Sequence, residues 1–159
     1  MARRHQSLIP LAQDHYHGLL LVQQIRERKR IIMTGWPPAP AGQARRVAEF
    51  YEEHLKNHFD AEEQALFPLA SKHVESARAV VQELLNEHSA LETFIAQFRE
   101  APEANIEQRL EEFANLLEQH IRKEDRVLFP LLEEHAPAEV LSQVESLMHP
   151  FYDDKKKEQ

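Results

Sequence analysis

Apolar residues recur at helical spacing along nearly the whole chain, in four long stretches divided by proline- and glycine-marked breaks. From Ser7 to about Arg30, Leu8, Leu11, Leu19, Val22 and Ile25 share one face, with His15 inside the stripe. Pro10 is comfortable only in a first turn. Thr34-Gly35-Trp36-Pro37-Pro38-Ala39-Pro40-Ala41-Gly42 ends this helix and forms a stiff connection. The second helix is expected from about Gln43 to the low seventies. Stepping about 100° per residue from His58 brings Tyr51, His54, Leu55, Glu62, Ala65, Leu66 and Leu69 to its inner face, and Glu63 to the flank. The third runs from about Glu75 to Arg99, with Val81, Leu84, Leu85, Leu91 and Ile95 around His88, and stops at Ala101-Pro102. The fourth runs from about Ile106 to Glu134, with Leu110, Phe113, Leu116, Leu117, His120, Glu124, Val127, Leu128 and Leu131 inward. After Ala136-Pro137, Ala138–Met148 predicts a short closing helix, and the charged residues Asp153–Gln159 are expected to fray.

The pattern is written twice. His58-Phe59-Asp60-Ala61-Glu62-Glu63-Gln64-Ala65-Leu66-Phe67-Pro68 matches His120-Ile121-Arg122-Lys123-Glu124-Asp125-Arg126-Val127-Leu128-Phe129-Pro130 at an offset of 62. The first and third helices match at an offset of 73, Gln13-Asp14-His15 with Asn86-Glu87-His88. The chain is therefore a repeated helix pair, each half reading His and then His-xxx-Glu. A single pair could not bury its stripe on both sides, so the halves need each other. The expected fold is all-α: an antiparallel up-down four-helix bundle over residues 1–150 with a short extra C-terminal helix, followed by a charged tail, 151–159. Both Leu-Phe-Pro motifs put a proline where the stripe continues, which predicts a kink or break just before Pro68 and Pro130.

Composition narrows the chemistry. The chain has 159 residues, 42% of them hydrophobic, enough for one domain with a useful core. It has only 3 glycines and no cysteine, which favours helix and removes disulfides, thiolate metal sites and cysteine catalysis. A formal charge of −8 argues against a nucleic-acid surface. The basic spots Arg26–Arg30 and Lys155–Lys157 read as solvated ends. No signal core and no long apolar run is present, so a soluble, cytoplasmic protein without membrane contact is expected.

Six polar residues lie on apolar stripes: His15, His58, Glu62, His88, His120 and Glu124. Residues i and i+4 share a helix face, so each His-xxx-Glu aims an imidazole and a carboxylate the same way. A lone core histidine is ordinarily a satisfied one, and a lone His-xxx-Glu an exposed pair. The repetition on calculated inner faces favours a metal centre instead. Four nitrogens and two carboxylates without sulfur suit iron or manganese, with zinc as a further candidate. If each carboxylate bridges two ions and each ion takes two His, an oxo or hydroxo bridge adds a fifth donor. An octahedral ion then keeps one position for O2, NO, peroxide or water, with the ions ~3.5–4 Å apart. Other residues receive lesser roles. His54 lies one turn before His58 and reads as pocket-lining. Glu92, four residues after His88, is an extra carboxylate or proton relay. Glu63 and Asp125 are flanking competitors for the metals. His73 and His135 are helix-end residues, His5, His17 and His149 surface or boundary residues, and Tyr16 points away.

These motifs resemble the hemerythrin-like HHE cation-binding domains over nearly the whole chain, from about Ser7 to His135. The resemblance implies a four-helix bundle with a non-haem di-iron centre, in which His15, His58, His88 and His120 are terminal ligands and Glu62 and Glu124 bridge. The sequence departs from the oxygen-carrying hemerythrins, which have a His-xxx-His pair on the third helix. Here residue 84 is Leu and residue 92 is Glu. Asp125 fills the place five after the last His and is a fallback bridge. The expected function is a di-iron protein that binds O2 or NO, or senses iron or redox state, acting through a partner protein or a homodimer. The alternative is a di-iron oxidoreductase, peroxidase-like or NO-handling, using His54 or Glu92 as proton donor. Ferritin-like Glu-xx-His, zinc-protease His-Glu-xx-His and the Gly-x-Ser-x-Gly hydrolase motif do not occur.

Overall fold

The computed structural model describes residues 3–28, 36–100 and 104–157, and every regular element among them is helical. The breaks expected at Thr34-Gly35 and Ala101-Pro102 lie outside the described residues, as do Lys29 and Arg30. The chain enters through a 3-10 turn, Gln6–Leu8, where the His5 ring accepts from the Ser7 backbone N–H at 3.1 Å. Helix α1 (Ile9–Arg26) follows, with Pro10 in the first turn, where an absent N–H costs nothing.

The second run is continuous over 40–73: α2 (Pro40–Phe50), a π turn (Tyr51–Leu55), α3 (Lys56–Ala61), a second π turn (Glu62–Leu66) and α4 (Phe67–His73). A 3-10 turn, Glu75–Ala77, leads into α5 (Arg78–Glu100). The fourth run comprises α6 (Ile106–Lys123), a π turn (Glu124–Leu128) and α7 (Phe129–His135). Helix α8 continues past Met148, from Ala138 to Lys157, with Pro150 inside it on the exposed side. None of the described helices is long and apolar enough to cross a membrane.

At both prolines the run continues through a π turn, without the break that the sequence allowed there. In a regular α-helix a proline loses a hydrogen bond and its ring strikes the carbonyl four residues back, at about 3 kcal/mol. Here the N–H of Phe67 reaches back five residues to Glu62 O, and that of Phe129 to Glu124 O. The widened turn ends where Pro68 and Pro130 lack an N–H, so the helix carries on. It also shifts the phase of the stripe. Val127, expected inside, is 43% exposed, while Leu128 is fully buried.

Two apolar clusters fill the bundle. One joins Leu8, Leu11, Leu66, Phe67, Leu84, Leu128 and Phe129 to α8. The other joins Leu21, Ile25, Val47, Phe59, Leu91, Ile95, Phe113 and Leu117. The candidate metal residues sit between them along every run: His15 between Leu11 and Leu21, His88 between Leu84 and Leu91, His120 and Glu124 between Leu117 and Leu128. Gly18 lets α1 approach α6 closely at this level, since a Cβ there would lie 2.7 Å from Ile121 Cδ1. Helix α8 packs on the entry turn, on α3, on α4 and on the π turn at 62–66. These contacts fall on the first half of the repeat, where Ala65 is fully buried, whereas its repeat partner Val127 is exposed.

Candidate metal centre

Helix α1 supplies His15, the second run His58 and Glu62, α5 His88, and the fourth run His120 and Glu124. All six are buried, Glu62, His120 and Glu124 completely. Ligand atoms of His15, His58, Glu62 and Glu124 lie within 4.8 Å of one another, as do those of Glu62, His88 and His120. Glu62 belongs to both groups. Its Oε1 is 3.0 Å from His88 Nε2, 3.3 Å from His58 Nε2 and 3.9 Å from His120 Nε2. Glu124 Oε1 is 2.9 Å from His15 Nε2, 3.5 Å from His120 Nε2 and 3.9 Å from His58 Nε2.

Every histidine thus turns Nε2 toward the shared carboxylates, and every Nδ1 meets a different acid. His15 Nδ1 is 2.8 Å from Asp125, His58 Nδ1 3.1 Å from Asp14, His88 Nδ1 3.0 Å from Glu63 and His120 Nδ1 2.9 Å from Glu87. A carboxylate only accepts, so each outer acid takes an Nδ1–H, and Nε2 is the ring atom that a cation between the glutamates would engage. Such outer acids fix the ring's tautomer and orientation and raise its basicity toward a cation. The arrangement obeys the repeat: the acid before each lone His holds the ring of a His-xxx-Glu, and the acid after each Glu holds a lone His.

Charge and burial define what this layer needs. Removing a carboxylate from water costs several kcal/mol unless it is paired. Burial works against a charge on Glu62, but the rings of His58, His120 and His88 outweigh it and hold the carboxyl well below the usual carboxylate range. Burial likewise opposes a charge on His88, yet Glu62 and Glu63 raise its pKa above the ordinary imidazole value. Glu87 is lowered, its burial overcome by His120 and Lys123, whose Nζ lies 2.5 Å from it. Even so, Glu62 Oε2, Glu124 Oε2 and His120 Nε2 are buried without a hydrogen-bond partner. Oxygen and imidazole donors left unsatisfied at one point fit a metal ion of the iron, manganese or zinc kind.

Aromatic rings wall the layer. Phe129 stacks on His15 with centroids 5.6 Å apart, Phe59 stacks on His88 at 4.0 Å, and Phe67 flanks His88 at 5.5 Å. The phenylalanine of each Leu-Phe-Pro therefore covers the lone histidine of the other half. These rings exclude water and fill the space beside the imidazoles.

The remaining sequence candidates lie outside the centre. The His54 side chain is 46% exposed and packs on Phe50 and His17, because the π turn at Tyr51–Leu55 rotates it off the inner face. Glu92 is exposed, since the buried stripe of α5 passes through Leu91 instead. His73 and His135 end α4 and α7, and Tyr16 points to solvent. Glu63 and Asp125 stand behind the histidines, on their Nδ1 side. The parts that sequence reasoning missed are Asp14, Glu87, Lys123, the two Leu-Phe-Pro phenylalanines and Tyr152, whose hydroxyl donates to Asp14 at 2.6 Å. Their signal was present for the acids: each follows or precedes a candidate ligand in both halves.

A buried layer of histidines and glutamates in an all-α bundle has the donor set of a cation site. The family model described as Hemerythrin HHE cation binding domain matches residues 5–132, and the chain belongs to that family. No curated protein and no solved structure gives a significant match.

Proposed function

We propose that the protein is a non-haem di-iron binding protein, with His15, His58, His88 and His120 as terminal ligands and Glu62 and Glu124 shared between two ions. The observation that carries this reading is the pair of completely buried glutamates, each lying between histidines of both halves with one oxygen unpaired. Two divalent cations supply the same positive charge as protonating all four rings, so metal replaces protons without changing the balance of the layer. The donor set favours iron, with manganese or zinc as substitutes. When bound, iron supplies an oxidisable centre with a coordination position for O2, NO or peroxide.

The chain's own residues orient the rings through the outer acids, keep Glu62 ionised and exclude bulk water through Phe59, Phe67 and Phe129. Binding or sensing of a diatomic ligand is favoured over turnover, because the two residues offered as proton donors, His54 and Glu92, are both exposed. The test is anaerobic loading with iron(II), then exposure to NO and, separately, to O2, followed by absorption. Spectra that change on exposure and recover on ligand removal support binding or sensing. Sustained consumption of peroxide with a reductant would favour the oxidoreductase, and an iron-loaded protein inert to all three would contradict both.

A further inference from the structure

We propose that Tyr152 is a positioning residue of the metal centre, fixing Asp14 against His58 so that α8 sets metal affinity at the His15–His58 position. This rests on the metal reading above. Helix α8 lies wholly beyond the residues matched by the family model, which end at 132. Yet Tyr152 Oη donates to Asp14 Oδ2 at 2.6 Å, and the same oxygen receives His58 Nδ1 at 3.1 Å. A second tie lies alongside: Asn57, the residue before His58, donates its side-chain N–H to Phe151 O at 3.0 Å. Two neighbouring residues of α8 are thereby fastened to two neighbouring residues of α3 and their partner on α1.

The repeat supplies an internal comparison. Glu87, the counterpart of Asp14, is held behind His120 by the ammonium of Lys123. Among the described residues no helix like α8 covers that half, and the apolar Val127 is left exposed there. One outer carboxylate is thus steadied by a cation and the other by a neutral phenol. The Lys123 ammonium offsets the charge of the acid behind His120, and the Tyr152 hydroxyl restricts the rotation of Asp14. The His58 ring is consequently oriented by an element outside the part of the chain that defines the family.

The experiment uses the full chain. Metal-free wild type and Tyr152→Phe are titrated anaerobically with iron(II) against a competing chelator. Phenylalanine keeps the packed ring and removes only the hydroxyl. The expected result is that one of the two iron equivalents weakens about tenfold, with the other equivalent unchanged. Two unchanged equivalents, or equal weakening of both, overturn the proposal. Wild type that takes up no iron refutes the metal reading itself, an outcome distinct from these.

Discussion

His15 Nδ1 lies 2.8 Å from Asp125, one residue beyond the Glu124 that faces the same ring's Nε2 at 2.9 Å. One histidine on α1 is thus gripped from both sides by adjacent residues of the fourth run. With Asp125 holding Nδ1, the ring presents Nε2 toward Glu124, where a cation would engage it. The outer contact determines which nitrogen is available. Asp125→Ala is expected to lower metal affinity by about 10–100-fold while costing little folding stability, because the Asp125 side chain is 32% exposed. Chelator competition measures this; an unchanged affinity would make the contact incidental.

His58→Ala and His120→Ala should each reduce bound metal and abolish most of the melting-temperature gain that metal gives the wild type. A metal present at 100 times its dissociation constant adds about 2.7 kcal/mol to folding. His73→Ala, at the exposed end of α4, should change neither quantity. Thermal melts with and without metal, paired with elemental analysis, distinguish the three variants. Loss of metal in His73→Ala would place the site elsewhere.

The buried layer gives the metal-free protein a two-sided dependence on pH. Glu62 and Glu87 are held below the ordinary carboxyl value of 4.5, so their contribution is present above that value and is lost as pH falls through their folded-state values. His88 is held above 6.5, so its contribution is complete below 6.5 and is lost as pH rises through its folded-state value. Urea midpoints of the metal-free protein should therefore fall on both sides of a maximum between those limits. Metal binding needs neutral rings, so affinity should weaken as pH is lowered, with protons taken up as metal leaves. A stability curve that rises steadily from about pH 5 to 8 would count against the His88 pairing.

Phe129→Ala should be among the most damaging single changes. The ring is fully buried and stacks on His15, and truncating such a phenylalanine costs about 3–5 kcal/mol. Denaturant unfolding of the metal-free variant isolates this packing cost. Weaker metal binding should accompany it, since His15 loses its wall.

The bundle and its six central residues were legible because the repeat at offsets of 62 and 73 puts the same residue types on the same calculated faces. His15 and His88 were readable only through that repetition. What escaped did so for physical reasons. Reading at a constant helical period assumes that every turn is alike, and the π turns violate this, misplacing His54 and Val127. Glu92 was misjudged because a helix stripe drifts, and on α5 it drifts toward Leu91. The roles of Asp14 and Glu87 required knowing which helices are neighbours in space. Tyr152 lies in a helix expected to end at Met148, although Met148, Phe151 and Tyr152 continue the apolar spacing. Pro150, inside this helix, is tolerated on the exposed face.

The most direct test is metal stoichiometry: elemental analysis after anaerobic loading with iron(II) and removal of excess, for wild type and for Glu62→Gln/Glu124→Gln. About two iron ions per chain in wild type and essentially none in the double variant are expected, because the two glutamates are common to both positions. Wild type that retains no iron, manganese or zinc, or a double variant that binds as well as wild type, would contradict the glutamate-shared metal centre.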